Sequence, residues 1–263
     1  MSTFIYDLVD SVEDRWKEVD LLISNASEQY HKNTDLYDAI CRATIVLIVA
    51  HFEGFIKASL KSVIDDINRF GSFAEIPDSM KRICCSKYLD ISDNSNKNRL
   101  ESLIETFDKL NMKLNVEPFL FENNKNPSPS IIDKIFKKFG IKNFLGMIET
   151  SDLGNVFENE KSQNYELLDK ARAVLREGIL EYPYKLDLGK LNIDISKKKT
   201  RESGLWSTFL DELLRVRNGI AHGTDLNNLL SLDDIKEMRF KVELIQCSFT
   251  IVLCNASIKN YKV

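Results

Sequence analysis

Apolar residues recurring at helical spacing over long stretches, a scarcity of turn residues and capping residues ahead of the apolar runs predict an all-α fold, a helical bundle with long core helices. Ten glycines and five prolines in 263 residues are too few punctuating residues for a many-stranded sandwich. A hydrophobic share of 43% and a charged share of 29% suit a globular chain. The length suffices for one sizeable core, so residues 1–263 are read as a single domain. Residues 77–150 are read as a helical insertion within it, and 181–200 as a long connecting loop.

The elements follow in order. Residues 4–30 place Leu8, Val12, Trp16, Val19 and Ile23 on one helical stripe. Asp35, with Asp38 three residues on, is the expected cap of a second helix reaching about residue 68. The centre of that helix, 43–50, is apolar on nearly all sides; its β-branched residues alone would suit a strand. The flanks decide for helix, because Leu36, Ala39, Ile40, Phe55, Ile56, Leu60, Val63 and Ile67 keep the helical period, and Gly71 follows its end. Within 77–150, helices are expected at 77–89, at 99–114 and after Ser128-Pro129, with polar loops at 92–98 and 121–127. In the last of these helices Ile131, Ile132, Ile135, Phe136 and Phe139 face inward and Lys134, Lys137 and Lys138 outward. A helix at 162–180 precedes the 181–200 connection, which is expected to carry a short strand pair. Helices at 203–222 and 231–259 close the chain, the last opened by a Ser231/Asp234 capping box.

A net charge of −4 and a pI of about 5.6 exclude a protein that coats nucleic acid, since that needs many phosphate-neutralising side chains. Contact with a few phosphates at a local site remains compatible. The cysteines at 41, 84, 85, 247 and 254 are odd in number and form no CxxC pair; with three histidines they suggest no metal site. They are read as reduced, with Cys247 and Cys254 sharing a buried helix face. The N-terminus lacks the features of a signal peptide, and the longest unbroken apolar run is too short to span a bilayer, so a soluble cytoplasmic protein is expected, without membrane contact.

One stretch carries chemistry: Arg217-Asn218-Gly219-Ile220-Ala221-His222-Gly223, at the expected end of a helix. Arginine clamps phosphate and histidine moves protons near neutral pH. With eleven arginines and three histidines, about 0.4 chance occurrences of such a spacing are expected, so context has to decide. Gly219 costs about 1 kcal/mol in a helix interior relative to alanine, which suggests another reason for its presence. At about 100° per residue, Arg217 and His222 stand about 140° apart on a regular helix. They converge only if the helix loosens near Gly219 or if two chains share one site. Arg215, seven residues before His222, lies about 20° off the same line as His222. The pattern alone leaves two readings open: a phosphodiester-cleaving site, or a helix capped by Gly223 with its arginines paired to Asp211 or Glu212.

The string Arg217-Asn218-x-x-Ala221-His222-Gly223 at the end of a penultimate core helix resembles the HEPN superfamily, whose signature is Arg, four to six residues, then His. The segment from Arg42 through His51, Glu53 and Gly54 to Phe55 is similar to the early core helix of a bacterial branch of large HEPN proteins found near defence and toxin–antitoxin genes. The lysine-bearing helix after Pro129 fits that branch. The resemblance implies a HEPN-like all-α bundle that dimerises to bring two motifs over one cleft, and metal-independent endoribonuclease activity without a cofactor. By position, Arg217 would hold the scissile phosphate, His222 would act as general base or acid, and Asn218 would orient the pair by hydrogen bonds. The implied product is a 2′,3′-cyclic phosphate. Some toxins of the superfamily carry a tyrosine two residues after the histidine that a partner enzyme modifies. Thr224 stands there in this chain, which argues against that control route.

Supporting roles are assigned to Arg215, and to Arg42 and Glu53, which share a face of the second helix; the competing reading pairs Glu53 with Lys57. Lys198, Lys199 and Arg201 are candidates to guide RNA, against the simpler reading of a solvated charge run. His51 is read as a structural helix histidine and Gly54 as a site of close helix packing. The expected protein is the toxic effector of a bacterial antiphage defence or toxin–antitoxin system. Its partners are an RNA substrate, tRNA among the candidates, a second copy of itself, and a cognate antitoxin or defence protein. The alternative is a non-catalytic HEPN-type module that binds RNA, a nucleotide or a partner protein.

Overall fold

A computed structural model describes residues 2–90, 93–121, 126–195, 204–223 and 230–259, and among these no β-strand occurs. The molecule is all-α. Helices α1 (Phe4–Gln29) and α2 (Thr34–Phe70) form an antiparallel hairpin; α3 (Asp78–Cys85), α4 (Lys97–Lys109), α5 (Pro129–Lys138) and α6 (Phe144–Glu149) follow, and α7 (Lys161–Ile179), α8 (Leu205–Ala221) and α9 (Leu232–Ala256) complete the core. Short 3-10 turns join several of them.

The core is built on α2 and α9. Ile45, Ile48, Val49, Phe52, Ile56, Leu60 and Val63 of α2 are buried, as is the unbroken segment 242–254 of α9. Packing against several helices explains why the centre of α2 is apolar on nearly all sides, with Ala43 and Ala50 left exposed. The α9 segment is buried throughout and carries its one charge, Glu243, paired with Arg172 and Arg239. By length and composition α2 would also serve to cross a membrane, a property that its longest unbroken apolar run had hidden; here its apolar surface packs against α1, α8 and α9. Burying a Leu, Ile or Phe side chain contributes about 1.5–3 kcal/mol.

Capping is where expectation and structure part. Asn33, not Asp35, caps α2: its side chain accepts the Leu36 N–H at 3.1 Å, while Asp35 sits in the first turn, where a carboxylate favours the helix dipole. The Ser231/Asp234 box at α9 is as expected, with Ser231 Oγ accepting from the Asp234 N–H at 3.1 Å and Asp234 accepting from the Ser231 N–H at 2.9 Å. Ser231→Ala is therefore expected to cost about 1 kcal/mol, read as a fall of about 2–4 °C in the melting temperature.

The 181–200 connection departs from its expected strand pair. Over its described part it forms one 3-10 turn, Leu188–Leu191, and no strand. Its conformation is set by tertiary anchors: Tyr184 is buried and donates its hydroxyl to Asp66 Oδ2 at 2.7 Å, and the Lys185 N–H reaches the Gly178 carbonyl at 2.8 Å.

In the 77–150 segment, α6 had no counterpart in the sequence reading because six residues are too few to display a period. Phe136 of α5 stacks on Phe144 of α6 at 4.1 Å between ring centroids, and both contact Phe249 of α9. Lys138, expected to face outward, is half-buried and donates to the Leu120 carbonyl at 2.8 Å; burial lowers its pKa. Glu149, the last residue of α6, accepts the first N–H groups of α8, from Leu205 at 3.0 Å and Trp206 at 3.1 Å. The N-cap of α8 is Gly204, which has no capping side chain, and a β-carbon there would stand 2.8 Å from the Glu149 carboxylate. A distant carboxylate thus performs the capping and fixes where α8 begins.

Candidate active site

Helix α8 delivers the motif. Its buried stripe Trp206, Leu210, Leu213 and Leu214 seats it on the core, and its C-terminal turn emerges with Arg217, Asn218 and Ile220 half-buried and His222 exposed. The helix stays regular through Gly219: the His222 N–H bonds the Asn218 carbonyl at 2.9 Å, an ordinary i to i−4 link. Of the two ways for Arg217 and His222 to converge, loosening at Gly219 is therefore not used. The helix ends at Gly223, whose φ of +68° is the left-handed conformation that closes many helices and suits glycine, and whose N–H returns to the Ile220 carbonyl at 3.2 Å.

The polar contacts order the site around Asn218. Its side-chain oxygen accepts from Arg217 Nη1 at 3.0 Å and from Asn126 Nδ2 at 3.1 Å. With the oxygen doubly engaged, the amide nitrogen is turned to the other side as a donor. Arg217 has no carboxylate within ion-pair distance among the described residues, so its charge is not neutralised there. The His222 imidazole, likewise, has no hydrogen-bond partner among them.

Beside this motif lies an open groove of about 530 Å³ between the first turns of α5 and one face of α8. Ser128, Ser130, Ile131 and Lys134 form one wall, and Asp211, Leu214, Arg215 and Asn218 the other, with Asn126 at one end. The four α8 residues follow helical spacing, and the same stripe extended by four residues reaches His222, about 6 Å further along the axis.

The other sequence-selected residues are distributed differently. Arg215 makes two bonds to Glu212, at 2.9 and 2.7 Å, the pairing that the capped-helix reading assigned to one of the arginines. Glu53 pairs with Lys57 at 2.8 Å, and Lys57 in turn lies 5.0 Å from the centre of the Phe121 ring. Arg42 is half-buried on α2 and makes an interaction of its own. It stands about 16 Å along the helix axis from Glu53, so the two share a face without pairing. Lys198, Lys199, Arg201 and Thr224 lie outside the described residues. Sequence reasoning missed Asn126, Ser128, Ser130 and Lys134 as companions of the motif. The signal available, a polar cluster before a proline-started helix, does not say which helix it faces.

His51 is only half satisfied. Its Nε2 lies 3.6 Å from Glu18, its ring meets Trp16 edge-on, and its buried Nδ1 has no partner. Burial lowers its pKa, ahead of the opposing effect of Glu18. A histidine with a depressed folded pKa stabilises the fold above its unfolded pKa, about 6.5, and that contribution is lost as pH falls through the folded value. Thermal melts between pH 7.5 and 5 are expected to show a shallower acid-side decline for His51→Gln than for the parent.

Among the described residues no cluster of three or more His, Cys, Asp or Glu side chains is placed to hold a metal ion, and all five cysteines are free and buried.

An all-α bundle that presents Arg, four residues and His at the end of its penultimate core helix defines a class of protein by fold and motif together. The chain belongs to the RiboL-PSP-HEPN family, whose model matches residues 10–148 and 148–255. No curated protein and no solved structure matches it. Membership supports a HEPN-type, RNA-related function; HEPN domains are often ribonucleases and often dimers.

Proposed function

We propose that this protein is an endoribonuclease of the HEPN type that acts as a homodimer, two Arg217/His222 motifs meeting over one RNA strand. The observation that carries the proposal is the state of the motif: an exposed His222 and an Arg217 without a carboxylate partner among the described residues, at the end of a helix too regular to bring the two together within one chain. A motif sealed beneath other helices would have favoured the non-catalytic binding module; this one is open to solvent at His222.

In the proposed reaction a ribose 2′-hydroxyl attacks the adjacent phosphorus, the P–O5′ bond breaks, and a 2′,3′-cyclic phosphate and a 5′-hydroxyl result. His222 takes the 2′-hydroxyl proton or delivers one to the leaving oxygen. Arg217 binds the non-bridging oxygens and stabilises the charge that develops on them. Asn218, held by two donors on its oxygen, keeps the guanidinium in place. A role as the toxic effector of a bacterial antiphage defence or toxin–antitoxin system, restrained by a cognate partner, is the biological setting that this chemistry fits.

The test is a cleavage assay on tRNA, ribosomal RNA and messenger RNA, with and without EDTA, and with product ends mapped. Cyclic phosphate ends formed at an undiminished rate in EDTA are expected. Intact RNA in all three substrates would reject the proposal.

A further inference from the structure

We infer that the groove between α5 and α8 is the subsite for the nucleotide next to the scissile phosphate: Lys134 holds its phosphate, and the hydroxyl and carboxamide groups of Ser128, Ser130 and Asn218 read its base. This rests on the ribonuclease reading and adds to it a site that the Arg–His motif does not contain.

Three observations carry it. The groove shares its α8 wall with the motif, since Asn218 lines it and the stripe through Arg215 and Asn218 continues to His222. A strand lying in the groove therefore passes directly onto the reacting group. The volume of about 530 Å³ falls within the range of small-ligand sites, about 300–1,000 Å³, and the opening leaves room for the strand to enter and leave.

The lining has the chemistry of readout more than of bulk charge neutralisation. Lys134 is exposed and has no carboxylate within ion-pair distance among the described residues, whereas Arg215 is held by Glu212 and Asp211 is itself an anion. One available cation in the groove is enough for one phosphate. Hydroxyls and carboxamides are suited to the donor and acceptor edges of an unstacked base. Ser128 is the N-cap of α5 yet makes no capping bond with its side chain; its hydroxyl meets that of Ser130 at 3.2 Å. A cap residue that does not cap can turn its hydroxyl to another partner.

The experiment measures binding of short labelled single-stranded RNAs in a His222→Ala background, and maps cleavage ends on a random-sequence RNA in the parent background. Lys134→Gln is expected to weaken binding about equally for all sequences and to lower the slope of log K against log salt by about 1. Ser128→Ala with Ser130→Ala is expected to redistribute the cleavage ends while thermal unfolding is preserved, since no capping bond is lost. If Lys134→Gln leaves Kd within about twofold of its background, or the paired serine substitutions leave the end preference unchanged, the groove is not the subsite and the ribonuclease reading stands. If the His222→Ala background binds RNA with the Lys134 dependence but the parent cleaves nothing, the groove binds RNA and the ribonuclease reading falls. An absence of RNA binding overturns both.

Discussion

His222→Ala is expected to abolish RNA cleavage, with a rate loss of about 10²–10⁴ if only proton transfer is removed, and to leave thermal unfolding unchanged. The side chain is exposed and has no partner among the described residues, so the fold loses no contact that would confuse the result. Arg217→Ala is expected to lose as much, and Arg217→Lys to restore little, because an ammonium cannot reproduce the planar fork on two phosphate oxygens. Mixing the two inactive chains separates a shared site from a local one. If each site takes its arginine from one chain and its histidine from the other, a heterodimer of His222→Ala and Arg217→Ala holds one intact site and regains activity. Continued inactivity of the mixed heterodimer would place both groups on one chain, and a His222→Ala chain that cleaves as fast as the parent would remove the ribonuclease assignment.

Asp66→Ala is expected to give the largest loss of stability. Asp66 is fully buried and accepts the Phe4 N–H at 2.7 Å, the Ile5 N–H at 3.1 Å and the Tyr184 hydroxyl at 2.7 Å. One carboxylate thus ties the start of α1 and the 181–195 connection to α2. Its removal leaves buried donors unpaired at about 1–3 kcal/mol each, so a total of about 3–5 kcal/mol is expected, comparable to breaking a buried ionic network. Chemical denaturation would reveal this as a lower midpoint at unchanged slope. Burial raises the Asp66 pKa against the opposing hydrogen bonds from Tyr184, Phe4 and Ile5. For an acid with a raised folded pKa, the associated stability is present below the unfolded value, about 3.9, and is lost as pH rises through the folded value. Asp66→Asn is expected to remove that pH dependence. Persistence of the dependence in the Asp66→Asn variant would assign it to another group.

How much of this was legible depended on the range of the interactions. Helices α1, α2, α7, α8 and α9 were readable because each is long enough to show its period and buries one face or all faces in a common core. The capping box at Ser231 was readable because both partners lie within one turn. The cap of α2 was misplaced by two residues because Asn33 and Asp35 are both competent caps and only the turn from α1 selects between them. Helix α6 was unreadable for its shortness, and the strand pair expected in 181–200 gave way to anchors on Asp66 and Gly178 that no local pattern encodes.

The candidate site divides in the same way. The sequence by itself determined an all-α chain of the HEPN kind and an Arg217/His222 motif at the end of a helix, since spacing and helical period are local properties. Only the tertiary structure decided that the helix stays regular through Gly219, that Glu149 sets the start of α8, and that Asn126 turns Asn218 toward a groove shared with α5. The last two of these rest on contacts between residues 56, 57 and 92 positions apart in the chain, counted from Leu205 and Trp206 to Glu149 and from Asn218 to Asn126. Periodicity reports which face of a helix is buried. It carries no information about which distant side chain lies opposite the exposed face, and that pairing forms the walls of the groove beside His222.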